Sequence, residues 1–210
     1  MKRLKKLLLV LFVLFISLNI ITQIALTVFQ TGLTLIDVYT LKYPKKDKIA
    51  KDYPKSLIIT KTSSFENQGL NQCSAFSTAY LLRFHGIDVD GATIYQKMNH
   101  KLSNGYVLPQ AINEIFKDYG YQIKMYQGNI EQLKMHLANG KPLIALIGSG
   151  FTWQHYVSVI GYDTKNIYLY DSLVSNVNHQ NYNRILKIEE FNNYWSNGLP
   201  VYENVYYVIE

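Results

Sequence analysis

The sequence predicts an α+β chain whose helices come first and whose mainly antiparallel sheet comes second, the two meeting at a cleft and preceded by one apolar helix. Three observations carry this. Residues 7 to 36 hold no charged residue at all. Between residues 73 and 140 the apolar residues recur at helical spacing, and after residue 142 they fall into short runs rich in β-branched and aromatic residues. Helical and strand runs segregated in this way specify separate helical and sheet sides, not an alternating βαβ order.

The N-terminus starts MKRLKK, with four positive charges, and continues into LLLVLFVLFISLNIITQIALTVF from Leu7 to Phe29. As a helix this stretch is about 34 Å long at ~1.5 Å per residue, enough to cross a hydrocarbon core of ~30 Å once. A secretory signal has the same basic start but an apolar region of only about 7 to 15 residues and a small-x-small cleavage site. No clean site occurs here, so residues 7–36 are expected to be an uncleaved signal anchor, a cleaved signal being the alternative. The basic residues 1–6 then stay cytoplasmic, and the chain after residue 36 lies outside in the cell membrane's extracytoplasmic space.

Of the net charge of +6, residues 1 to 6 supply +4 and residues 37 to 61, with seven Lys against three Asp, another +4; residues 62 to 210 sum to −2. The expected organisation is a Lys-rich juxtamembrane linker, 37–61, and one domain, 62–210, long enough to bury its own core. A near-neutral domain excludes nucleic acid as a partner.

The elements follow in order. SLIITKT (56 to 62) is a short strand leading to the loop SSFENQGLN. CSAFSTAYLLRFH (73 to 85) has neither Pro nor Gly and stops at Gly86, so it is a helix with Cys73 in its first turn. GATIYQKMNHKL (91 to 102), LPQAINEIFKDYG (108 to 120) and NIEQLKMHLANG (129 to 140) are three more. PLIALIG (142 to 148), HYVSVIGYD (155 to 163), IYLYDS (167 to 172), RILKI (184 to 188) and PVYENVYYVI (200 to 209) read as strands, with a short helix at EEFNNYWS.

Cys73 is the only cysteine. A lone thiol outside the cell is a buried hydrophobe, an intermolecular disulfide or a reactive nucleophile. A helix N-terminus and a neighbouring imidazolium activate a thiol. Of five histidines, His85 ends the helix that Cys73 begins, roughly 18 Å away. His100, His136 and His179 are expected on the surface. His155 opens a strand at a sheet edge, and one hairpin later IYLYDS delivers Asp171, which paired antiparallel strands can set beside the imidazole. Metal-ligand spacing is absent, so neither metal nor cofactor is expected.

A cysteine at a helix start, then NGKPLIALIG, HYVSVIGYD and YLYDS, with 82 residues from Cys73 to His155, resembles the double-glycine, bacteriocin-processing cysteine peptidases and their relatives in the papain superfamily. The likeness covers about residues 60 to 210. It implies a papain-like fold and a hydrolase of peptide or related acyl bonds, with Cys73 as nucleophile, His155 as general base and acid, and Asp171 orienting it. Oxyanion donors are also implied, the Cys73 backbone N–H and Gln68, with Asn67 and Gln72 as alternatives to Gln68. A peptide or protein is the implied substrate. The family's Cys-Gly and Asp-Pro pairs are Cys73-Ser74 and Asp171-Ser172 here. An inactive relative that binds a peptide or protein in the same cleft is the alternative function.

Overall fold

The computed structural model describes residues 2–60, 63–175, 179–196 and 198–210. The boundary between linker and domain at residues 61 and 62, the end of the strand expected at 56–62, and residues 176–178 of the polar loop before Asn183 lie outside them.

Helix α1 (Lys2–Val28) carries the apolar segment, is long and apolar enough to cross a membrane, and buries none of its most apolar stretch against the rest of the chain. It is followed by α2 (Leu35–Tyr39), which starts in a capping box: the Thr34 hydroxyl accepts from the Asp37 N–H, and the Asp37 carboxylate accepts from the Thr34 N–H. The next elements are β1 (Lys45–Lys46), β2 (Leu57–Ile58), α3 (Cys73–Phe84), α4 (Gly91–Lys97), α5 (Pro109–Asp118), β3 (Ile123–Gln127) and α6 (Ile130–Leu137). The chain then runs through β4 (Leu143–Ser149), β5 (Trp153–Tyr162), β6 (Asn166–Tyr170), β7 (Arg184–Lys187), α7 (Ile188–Trp195) and β8 (Val205–Ile209).

Among the described residues the strands form one sheet in the order β1-β3-β8-β4-β5-β6-β7. Every pairing is antiparallel except β1 with β3. Strand β5 outruns β4, and β2 fills the vacated edge, pairing Leu57 with Tyr162 and Ile58 with Gly161. Gly161 permits this, because a Cβ there would stand 2.3 Å from the Leu57 carbonyl oxygen. Helix α3 packs on β5 with its residues buried almost throughout, so the sheet fixes the helix that begins at Cys73. Ser77, on that buried face, donates to the Tyr156 carbonyl at 3.1 Å and ties helix to strand.

Three expectations need correction. First, the juxtamembrane segment 37–61 is not a free linker along its front part: residues 37–47 are a strap laid across the domain. Its lysines point outward, whereas Asp37 and Asp47 are the groups that find partners. The Asp37 carboxylate pairs with His100 Nδ1, while His100 Nε2 meets Glu114 at 2.8 Å and Gln110 donates to the Asp37 carbonyl at 3.1 Å. Asp47 accepts from His136 at 2.8 Å and from the Tyr206 hydroxyl. A count dominated by seven lysines hides two carboxylates that dock. Second, and for the same reason, His100 and His136 are not surface residues: each side chain is only 11% exposed and pinned by a carboxylate. Third, the helix expected to reach residue 102 stops at Lys97. His100 is held at φ 57° by its two carboxylates, and Lys101 then bridges to Val107 in a small hairpin. These tertiary bonds outweigh the local helical preference of NHKL.

Candidate active site

The approach to Cys73 is fixed before the helix begins. Arg83, on α3, donates to Ser63 Oγ, Glu66 Oε2 and the carbonyls of Ser64 and Val89 at 2.8 to 3.0 Å. Tyr170 on β6 donates to the Glu66 carbonyl at 2.7 Å and stacks on Tyr80 at 4.6 Å between ring centres. The loop is therefore gripped by both helix and sheet. Arg83→Ala is expected to lower unfolding stability by about 2 kcal/mol in urea denaturation, since it strips the loop of charge-assisted hydrogen bonds and leaves the Glu66 carboxylate only the Gly91 N–H.

Beyond the grip, Asn71 takes a left-handed φ of 58°, which asparagine tolerates better than most residues, and the chain enters α3 at Cys73. As the first residue of the helix, Cys73 contributes one of the N–H groups that have no intrahelical acceptor. These groups and the helix dipole favour negative charge at that end.

His155 sits on β5, and β6 runs antiparallel beside it with Ser158 opposite Tyr170. That register brings Asp171, one residue past β6, to the imidazole: Nε2 to Oδ1 is 2.8 Å. Cys73 lines the same cleft as His155 and acts electrostatically on its ring, and with Nε2 committed to Asp171 the nitrogen left to meet the thiol is Nδ1. Cysteine, histidine and aspartate thus form one line from α3 across β5 to β6. Trp153 stacks beside the imidazole at 5.9 Å with 23° between the planes.

The surroundings of Asp171 lock it as an acceptor. Its side chain is fully buried, yet its oxygens receive His155, the Leu173 N–H at 2.9 Å and Arg184 Nη1 at 2.6 Å. Asn183 holds the backbone on both sides, accepting from the Asp171 N–H and donating to its carbonyl, each at 2.8 Å. Burial works against the carboxylate, but the hydrogen bond and charge of His155, with Leu173 and Arg184, hold its pKa down to about 2. For His155 burial favours the neutral ring. The bonds to Asp171 and Cys73 outweigh it and raise the pKa to about 9. Between those limits the imidazolium and carboxylate are charged together. In stability terms, the His155 share is complete below its ordinary 6.5 and is lost as pH rises through about 9. The Asp171 share is present above its ordinary 3.8 and is lost as pH falls through about 2.

Of the three candidates near the oxyanion position, only Gln68 lines the cleft with Cys73 and His155. Its N–H donates to the Ser172 carbonyl at 3.0 Å, its Oε1 accepts from Ser172 Oγ at 2.6 Å, and Nε2 spends one hydrogen on the Gly69 carbonyl at 3.1 Å and keeps the other as a donor. Asn67 is exposed, and Gln72 accepts from the Gly69 N–H at 3.1 Å. The cleft, about 330 Å³, also takes in Leu70, Tyr106, Trp153 and Leu173. His179, the remaining histidine expected on the surface, stacks on Tyr182 at 4.1 Å and is not among the residues lining the cleft.

Sequence reasoning missed Arg184, Asn183 and Ser172. A signal existed for the first: RILK pairs with β6 so that Arg184 faces Leu169, a diagonal step from Asp171. Asn183 and Ser172 act through backbone and loop contacts that no spacing announces. The disulfide reading is opposed by burial, since Cys73 is 4% exposed and its thiol already faces His155.

Comparison with solved structures shows the same fold elsewhere. The chain is similar to a C39-like peptidase from Bacillus anthracis, at 16% identity over 75% of this chain and 98% of that one, with a TM-score of 0.60. It is similar to a double glycine motif protease from an AMS/PCAT transporter, solved with the leader peptide, at 18% identity, 76% and 98% coverage and a TM-score of 0.53. A cysteine protease of Carica candamarcensis, solved with E-64, matches at 11% identity, 74% and 98% coverage and a TM-score of 0.54. At these identities the likeness shows the fold, which is papain-like. No curated protein matches the chain. The Peptidase_C39 like family matches residues 57–198, and that stretch holds Gln68, Cys73, His155 and Asp171 with the strands that bring them together; the chain belongs to this family.

Proposed function

We propose that the chain is a membrane-anchored thiol peptidase whose domain works outside the cytoplasmic membrane, held by α1. The observation that carries the reading is the buried His155 bonded through Nε2 to Asp171 and lining one cleft with the thiol at the start of α3. In this reading the Cys73 thiolate attacks the scissile carbonyl carbon and forms a C–S bond. The carbonyl oxygen takes the electron pair and is met by the Cys73 N–H and Gln68 Nε2. His155 then gives its proton to the amine nitrogen as the C–N bond breaks, leaving an acyl thioester. Water attacks this thioester with His155 taking its proton, the acid departs, and the thiol side is restored. Asp171 holds the ring so that Nδ1 faces sulfur throughout. The apolar length of α1 and the basic residues before it support the anchor and the outward orientation of the domain.

The test is turnover of a mixed peptide library by the full chain in detergent, against pH. Because the proton handed to the leaving amine resides on His155, activity is expected to fall on the alkaline side as that proton is lost, with a midpoint near pH 9. A profile that keeps rising past pH 10 would contradict an imidazolium acid.

A further inference from the structure

A second cavity adjoins the cleft, of about 370 Å³, and shares Cys73, Asn71, Tyr106 and Gln154 with it. Its floor is Leu146 of β4 and Tyr156 of β5, and no charged residue lines it. What closes it comes from outside the family match: Leu41, from the strap that precedes the matched residues 57–198, lies in its wall.

The strap is not resting there loosely. Before Leu41, Asp37 is bound to His100 and its carbonyl to Gln110. After it, the Lys42 carbonyl accepts from the Tyr202 hydroxyl at 2.7 Å, and Tyr43 stacks on Tyr202 at 6.2 Å. Tyr202 is itself a lining residue. Further on, Lys45 and Lys46 pair with β3, and Asp47 is bound to His136. Bonds on both sides therefore hold the Leu41 side chain against the pocket.

We propose that the strap is a working part of the substrate site: Leu41 forms one wall of an apolar pocket beside the nucleophile and fixes the size of the uncharged side chain that the pocket accepts near the scissile bond. This rests on the peptidase reading above. An apolar pocket rewards each matching methylene and rejects a charged side chain, whose desolvation nothing there repays. The preferred substrate is thus a peptide with a leucine-sized apolar residue near the cleaved bond. A chain cut away before residue 48 loses the wall along with the membrane helix.

The experiment uses the full-length chain in detergent micelles and two alkylating peptides, acetyl-Leu-Gly-chloromethyl ketone and acetyl-Ala-Gly-chloromethyl ketone. Attachment to Cys73 is followed by intact mass, with iodoacetamide to gauge the thiol itself. The leucine probe is expected to react about 10-fold faster than the alanine probe. Leu41→Trp, which fills the pocket, is expected to erase that ratio. Leu41→Ala, which only removes atoms and so tests the idea if the tryptophan variant fails to fold, is expected to lower it several-fold. Equal rates for the two probes in the parent chain, or a ratio untouched by either substitution while Cys73 is alkylated, overturns the role of the strap and leaves the peptidase reading standing. Failure of every reagent to reach Cys73 in the folded chain overturns the peptidase reading, and this inference with it.

Discussion

Cys73→Ala and His155→Ala are each expected to lower peptide turnover by roughly 10⁴-fold or more, and the double variant to lose little beyond either single one. Alanine at 73 removes the only atom able to form the thioester. Alanine at 155 removes both the partner of the thiol and the acid that protonates the leaving amine. Since the two act as one unit, their losses do not add. Both variants should fold, because Asp171 keeps Arg184, Leu173 and Asn183 when the imidazole is gone. Turnover of the library and circular dichroism on the same samples check both points. Either single variant turning over at the parent rate would exclude Cys73 chemistry.

Asp171→Ala is the second large effect, and it strikes stability as well as rate. The carboxylate is fully buried between an imidazolium and a guanidinium, so its removal leaves Arg184 without its counter-charge and His155 without the acceptor that keeps it protonated. Breaking a buried pair in this way costs about 3 to 5 kcal/mol, to be read from the urea midpoint. Asp171→Asn separates the two roles. The amide keeps the shape and its oxygen can still accept from the His155 ring, as in Cys-His-Asn sites, so both the stability loss and the loss of turnover should be smaller than in Asp171→Ala. An asparagine variant with full turnover would show that Asp171 orients the ring without its charge being needed.

The sequence was a good guide wherever the deciding interactions were local or repeated. The lone cysteine at a helix start, the alternation that follows His155 and the hairpin that returns Asp171 are all short-range signals, and the structure brings these residues together. The oxyanion candidate was legible only to within a few residues, because what sets Gln68 in the cleft is Ser172, more than a hundred positions away. The strap was misread for a similar reason. Composition reports the seven lysines of residues 37–61, whereas docking depends on Asp37 and Asp47 finding His100 and His136. Strand β3 was passed over because a five-residue alternation at the sheet's periphery, IKMYQ, gives little signal without its partner β8. Arg184 shows the general limit. Its residue type and strand were plain, but its meaning depended on the register of β7 against β6.

The measurement that most directly tests the central claim is the rate of iodoacetamide labelling of the full chain in detergent as a function of pH, with His155→Ala alongside. One cysteine in the chain gives the signal a single source. If Cys73 and His155 form a thiolate and imidazolium pair, labelling should remain fast at pH 6 and collapse there in the His155→Ala chain. Slow labelling at pH 6 that rises only in the range of a free thiol, about 8.5, and is the same in both chains would contradict the account.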